Sequence, residues 1–254
     1  MAWLICLPAG ILTILLSCEA EELENHLPLI AETITGLCQI CIAQHGHLPS
    51  SIPPRSSSRS THLVQICHGT PGLLVLLATA RRNHRIKTSF WQPEWDQAIQ
   101  LGAEKAWQEG LLTKGGSLCH GLAGNAWSLL MLHNCFESDS DDKEGDQIGD
   151  YFLSRALSLL LLARESPPYS TALNIPSSYN FRTPDRPYSL YEGLAGELCA
   201  WTEACVVIKT RLCKLGLDEK GERVRPSGKK EFQQHKVREL GFPCLGGNGP
   251  KGIL

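Results

Sequence analysis

Two short stretches of this 254-residue chain repeat the same three residues, Cys67-His68-Gly69 and Cys119-His120-Gly121. Cysteine thiolate and imidazole are the usual donors to zinc, which takes four ligands in a tetrahedron. In each stretch the pair leads directly into a glycine, a residue that lets backbone approach closely. Two such turns from neighbouring elements would bring Cys67, Cys119 and His120 around one Zn2+ ion. Three protein ligands and one open position are the pattern of a catalytic rather than a structural zinc. One Cys-His pair alone would mean little, because both residue types are often simply buried. The weight lies in the repetition at equivalent places. Cys38-Gln39-Ile40-Cys41 also has ligand-like spacing, but it falls inside a helical pattern with no second pair, and reads as two core thiols. Cys199, Cys205, Cys213 and Cys244 show no ligand pattern.

The elements that must position these residues are legible as a weak internal repeat. A G-x-x-G turn followed at once by an apolar stretch occurs at Gly69–Gly72, Gly121–Gly124 and Gly193–Gly196. The first glycines are 52 and then 72 residues apart, and a fainter echo stands at Ala9-Gly10, before ILTILLS. Between the turns lie segments with apolar residues at helical spacing. These are Leu27, Ile30, Ile34, Leu37 and Cys41; then Trp95, Ile99, Ala103, Ala106 and Gly110; then Phe152, Ala156, Leu159 and Leu160. Each repeat therefore reads as a helix hairpin, with one wholly apolar inner helix and one amphipathic outer helix. Stacked hairpins of this kind give an all-α toroid or solenoid. The composition agrees: there are 39 Leu but only 6 Val, a balance that favours helix over strand.

Several classes are excluded or disfavoured. A formal net charge of −2 argues against a dedicated nucleic-acid binder. Outside residues 1–17 no apolar run is expected to reach the roughly 18 residues of a membrane span, so a membrane role is not expected. Met1 to Ser17 is apolar, but it lacks a basic start and is followed by Cys18, Glu19, Glu21 and Glu22. It reads as a buried helix; as a signal it would make the chain secreted or membrane-associated. Eleven cysteines without a secreted framework point instead to reduced thiols in the cytoplasm. Residues 137–150 are acidic without the ligand order of a calcium loop. From Lys209 to Arg238 there are ten Lys/Arg against four Asp/Glu, so the chain divides into a helical domain, 1–208, and a basic polar tail, 209–254.

Three stretches resemble motifs of the lanthionine synthetase C-like (LanC-like) family, its eukaryotic branch in particular. They are LVQICHGTPG (63–72), GLLTKGGSLCHGLAGNAW (110–127) and RTPDRPYSLYEGLAG (182–196), and the resemblance runs from about Ala9 to Ala204. It implies an α/α toroid of six or seven hairpins with zinc at the mouth of its cavity. Its zinc ligands would fall on Cys67, Cys119 and His120, and His68 would sit beside the metal. Lys114 and Arg182 become candidate contacts for the carboxylates of glutathione. The reaction implied is addition of a thiol, of glutathione or of a peptide, to a dehydroamino acid, giving a thioether. The thiolate attacks the alkene and the resulting enolate needs an acid. Relatives carry an Ala-His-Gly turn whose histidine the family assigns to that proton; this sequence has none, and His68 is the candidate in its place. About four hairpins are expected, an incomplete ring. A protein that holds zinc and glutathione without turnover, as an adaptor or sensor, is the alternative. A toroidal glycosidase would need paired carboxylates across the cavity, and Glu192 has no evident partner.

Overall fold

The computed structural model describes residues 6–49, 63–137, 150–167, 181–218 and 220–223. The described helices are α1 (Cys6–Leu15), α2 (Ala20–Leu23), α3 (Leu27–Ala43), α4 (Thr70–Arg82), α5 (His84–Ser89), α6 (Pro93–Glu109), α7 (Leu122–Leu132), α8 (Tyr151–Ala163) and α9 (Leu194–Leu215). Among the described residues there is no strand beyond one antiparallel bridge between Leu217 and Arg223. Proline sits in the first turn of α3, α4 and α6, where its missing N–H costs nothing. Gly216, at φ 65°, closes α9 in the left-handed conformation that favours glycine.

The helices form two rows. The inner row runs α1, α4, α7, α9, each packed on the next. Of these, α4, α7 and α9 follow the three glycine turns, and every residue of α7 from Leu122 to Leu132 is buried. The outer row holds α3, α6 and α8, with α3 on α6, α6 on α4 and α8 on α7. These are amphipathic. Leu27, Ile30, Ile34, Leu37 and Cys41 of α3 face inward, as do Trp95, Ile99, Ala103 and Ala106 of α6. The all-α class and the two-layer arrangement expected from the periodicity are thus present. Among the described residues α9 has no outer helix after it, so they hold three inner–outer pairs and a fourth inner helix.

Four expectations meet particular outcomes. The apolar first segment is helical over α1, with Ala9, Leu12, Thr13 and Leu16 buried against the core and Ile11 and Ile14 exposed. The echo at Ala9-Gly10 lies inside α1, where a Cβ on Gly10 would meet no atom within 4 Å. The helical run Glu21–Ala43 is long and apolar enough to cross a membrane, which corrects the expectation that no such run exists. Its apolar face is nonetheless the one that packs on α6, α1 and α4. The expected boundary at 208/209 falls within α9, which continues to Leu215, and residues 224–254 of the tail lie outside the described residues.

Candidate metal centre

The three turns are built alike, and this likeness brings the site together. Gly69, Gly121 and Gly193 each stand immediately before an inner helix, in the cap position, with no side chain capping it. The loops do the capping. Leu122, Ala123 and Gly124 donate their N–H groups to the carbonyls of Gly115, Gly116 and Ser117, and Leu194 donates to Pro187. The second glycine has a steric reason that holds in every turn. A Cβ on Gly72, Gly124 or Gly196 would run into the carbonyl oxygen six residues earlier, that of Ile66, Leu118 or Leu190. The loop therefore folds back against the helix start, and the residues just before the first glycine are held at the end of the inner row.

Neighbouring turns are stitched in register. The N–H of Cys67 donates to the carbonyl of Cys119 at 3.2 Å, and the N–H of Cys119 donates to that of Tyr191 at 2.8 Å. Cys67, Cys119 and Tyr191 are thus the same position in successive repeats, and His68, His120 and Glu192 are the next. Asn125, wholly buried in the first turn of α7, adds a staple by donating to Val64 O at 2.9 Å and Gly110 O at 3.0 Å. Leaving those carbonyls unpaired would cost about 1–3 kcal/mol each.

This register brings Cys67, Cys119 and His120 together, with their two sulfurs and one ring nitrogen within 4.8 Å of one another. Donors around tetrahedral zinc stand roughly 3.5–3.8 Å apart, given its bond lengths. The cluster needs only a small contraction to fit, and two sulfurs with one imidazole suit that metal. The hydrogen bond from Cys119 lowers the Cys67 thiol to about 7, helped by the Lys114 ammonium and by Gln65, against the effect of burial. The same bond raises Cys119, the donor of the pair, with burial adding to it. Gln65 Nε2 donates to the Cys67 sulfur at 3.3 Å. Burial, then Lys114, lowers His120 despite Glu192 and Asp185, which keeps the imidazole neutral and able to ligate.

The other expected residues are Lys114, Arg182 and His68. Lys114 is exposed and acts on all three donor groups. Arg182 is exposed, and its N–H donates to Thr113 O at 2.7 Å, which fixes its backbone beside the Lys114 loop. His68 stands outside the three-atom cluster, half-buried, with Nδ1 buried and without a hydrogen-bond partner. The residue reading missed Gln65, Tyr191 and Asn125, and it weighed Glu192 only as a lone carboxylate. Aligning the three turns residue by residue, rather than on their glycines alone, would have placed Tyr191-Glu192 opposite the two Cys-His pairs. Glu197, in the first turn of α9, was also missed. It is 1 % exposed, its Oε1 has no hydrogen-bond partner, and burial pushes it up to about 8.

A second group, His133, Glu137 and Asp150, also brings three donor atoms within 4.8 Å. Its oxygens are already engaged. Glu137 meets His133 Nδ1 at 2.6 Å and accepts from Phe152 N at 2.9 Å, and Arg211 pairs with Asp150 at 2.9 Å. This is a clamp joining the π-helical turn His133–Glu137 after α7 to the starts of α8 and the body of α9.

Comparison with known proteins places these features in context. Residues 8–204 match the family described as lanthionine synthetase C-like protein. The chain is 28% identical to the glutathione S-transferase LANCL1 of Danio rerio over 170 residues, covering 67% of this chain and 34% of that protein. It is 26% identical to the LanC-like protein GCL1 of Arabidopsis thaliana over 196 residues, covering 76% and 38%. The chain thus spans little more than a third of the length of these relatives.

Proposed function

The chain belongs to the lanthionine synthetase C-like family, and on that premise we propose that it holds zinc between Cys67, Cys119 and His120 and presents a thiol of the glutathione class for addition to a dehydroamino acid. The observation that carries this reading is the cluster of two sulfurs and one imidazole nitrogen within 4.8 Å. Zinc bound there would favour the deprotonated form of a substrate thiol. The chain's own groups supply the rest. Cys67 and Cys119 bring negative charge, and neutral His120 completes the set. Lys114 and Arg182, both exposed, attract the carboxylates of the thiol substrate. His68 is the residue proposed to return a proton to the carbon that becomes an enolate. Thiol chemistry of this kind suits a reducing compartment such as the cytoplasm.

Metal content of the purified chain tests the premise. One zinc per chain is expected. Cys119→Ala should weaken zinc by more than about a hundredfold, beyond the 10–100-fold typical of losing an outer partner. A wild-type chain that takes up no zinc overturns the proposal. Incubation with glutathione and a dehydroalanine peptide then reads turnover as an adduct mass. Because this chain covers only 34% of the transferase it matches, the alternative is a protein that holds zinc and glutathione without turnover. Glutathione binding with no adduct would decide for that reading.

A further inference from the structure

The same turns juxtapose two thiols in a way that has a consequence independent of any metal. The Sγ atoms of Cys67 and Cys119 lie within 4.8 Å of one another, and their backbones are joined directly by the 3.2 Å bond from Cys67 N to Cys119 O. Closing a disulfide requires the sulfurs to meet at about 2.05 Å, with the Cα atoms already close. The backbone bond between the two loops holds these residues side by side. The pair is half-buried rather than sealed. By contrast Cys38 and Cys41 are wholly buried in α3, and Cys135 is buried with its sulfur donating to Ala78 O.

We infer that Cys67 and Cys119 are a redox modification site, forming a reversible disulfide with each other at the expense of a low-molecular-weight disulfide such as oxidised glutathione. Gln65 Nε2 donates to the Cys67 sulfur at 3.3 Å and would support its thiolate, so Cys67 is the attacking group. Its thiolate attacks one sulfur of the small disulfide, the S–S bond breaks, and one glutathione leaves and takes up a proton. Cys119 then gives up its proton and attacks the Cys67 sulfur of the mixed disulfide, expelling the second glutathione. In sum two protein thiols are oxidised and one glutathione disulfide is reduced to two glutathione molecules. The product ties up two of the three donors, so oxidation and metal binding exclude each other. The inference needs only the two thiols, and neither zinc nor the addition reaction.

The test is thiol mapping of the full chain, metal-stripped or zinc-loaded, after incubation with oxidised glutathione and alkylation. The expected product is a Cys67–Cys119 cross-linked peptide with an intact mass lower by two hydrogens and no retained glutathione, reversed by a phosphine reductant. Zinc at ten times its Kd should slow the reaction about tenfold, because only the metal-free fraction reacts. The oxidised chain should take up no zinc until reduced. In Cys119→Ser, glutathione should remain on Cys67. The inference is overturned if Cys67 and Cys119 stay separately alkylated, if the cross-link joins other cysteines, or if the oxidised chain binds zinc as the reduced chain does. A wild-type chain that binds no zinc but forms this cross-link would sink the proposed function and leave the redox site standing.

Discussion

At the scale of single residues, the site depends on how its environment divides protons. Cys67 and Cys119 are chemically identical, yet their mutual contact lowers the first and raises the second, and Gln65 adds to the lowering of Cys67. Glu197 shows the opposite treatment, a carboxyl buried with one unpartnered oxygen and pushed up to about 8. Its side chain occupies the space a Cβ on Gly116 would need, so it presses on the loop that carries Lys114 and Cys119. In the unfolded chain this carboxyl loses its proton near 4.5, whereas in the fold it keeps it to about 8. Folding therefore takes up a proton in that window, and the stability tied to Glu197 falls as pH rises through it. Glu197→Gln removes the ionisation while keeping the volume. Urea unfolding should show the variant more stable by about 1–4 kcal/mol at pH 8, with a smaller difference at pH 4.5. An equal difference at both values would refute this.

At the scale of elements, the glycine turns do work that no side-chain cap shares. The second glycine in each turn lets a loop carbonyl lie against the helix start, and the loop in turn satisfies the helix amides. Gly124→Ala should therefore cost about 1–3 kcal/mol, as overpacked sites do. Gly10 looks similar in sequence but sits within α1 with open space around it. Gly10→Ala should be neutral or stabilising by up to about 1 kcal/mol, since alanine is the better helix former. Thermal melts of the two variants measured side by side check the contrast. The outer helices are simpler: their inward faces are the apolar residues at helical spacing, and burial of those faces holds the two rows together.

At the scale of the molecule, the donors come from two repeats, so a metal would join loops that the fold otherwise links by one backbone bond and Asn125. A ligand that binds the folded chain alone stabilises it by about 2.7 kcal/mol at a hundred times its Kd. Zinc should raise the melting temperature of the wild-type chain accordingly and leave that of Cys119→Ala unchanged. Far from the site, His133, Glu137, Asp150 and Arg211 fasten the other end of α7 to α8 and α9. Helix α7 is thus held at both ends by polar contacts and along its length by apolar packing. The pair α7–α8 and the row α4–α7–α9 set the spacing of the turns.

Much of this was legible in the chain itself. Helical periodicity is a local property, so Leu27 to Cys41 and Trp95 to Ala106 could be assigned to buried faces from spacing alone. The repeated Cys-His-Gly singled out Cys67, Cys119 and His120 because repetition at equivalent positions is visible in one dimension. What no spacing reveals is distance between repeats. Cys67 and Cys119 are 52 residues apart, and only the sideways packing of α4 on α7, with the bonds between their preceding loops, sets their sulfurs side by side. The same packing decided that Glu197 is buried, that Asn125 is a staple, and that Cys67 rather than Cys119 is the more acidic thiol. Those outcomes depend on desolvation and on neighbours from other repeats, and such neighbours exist only once the rows have assembled.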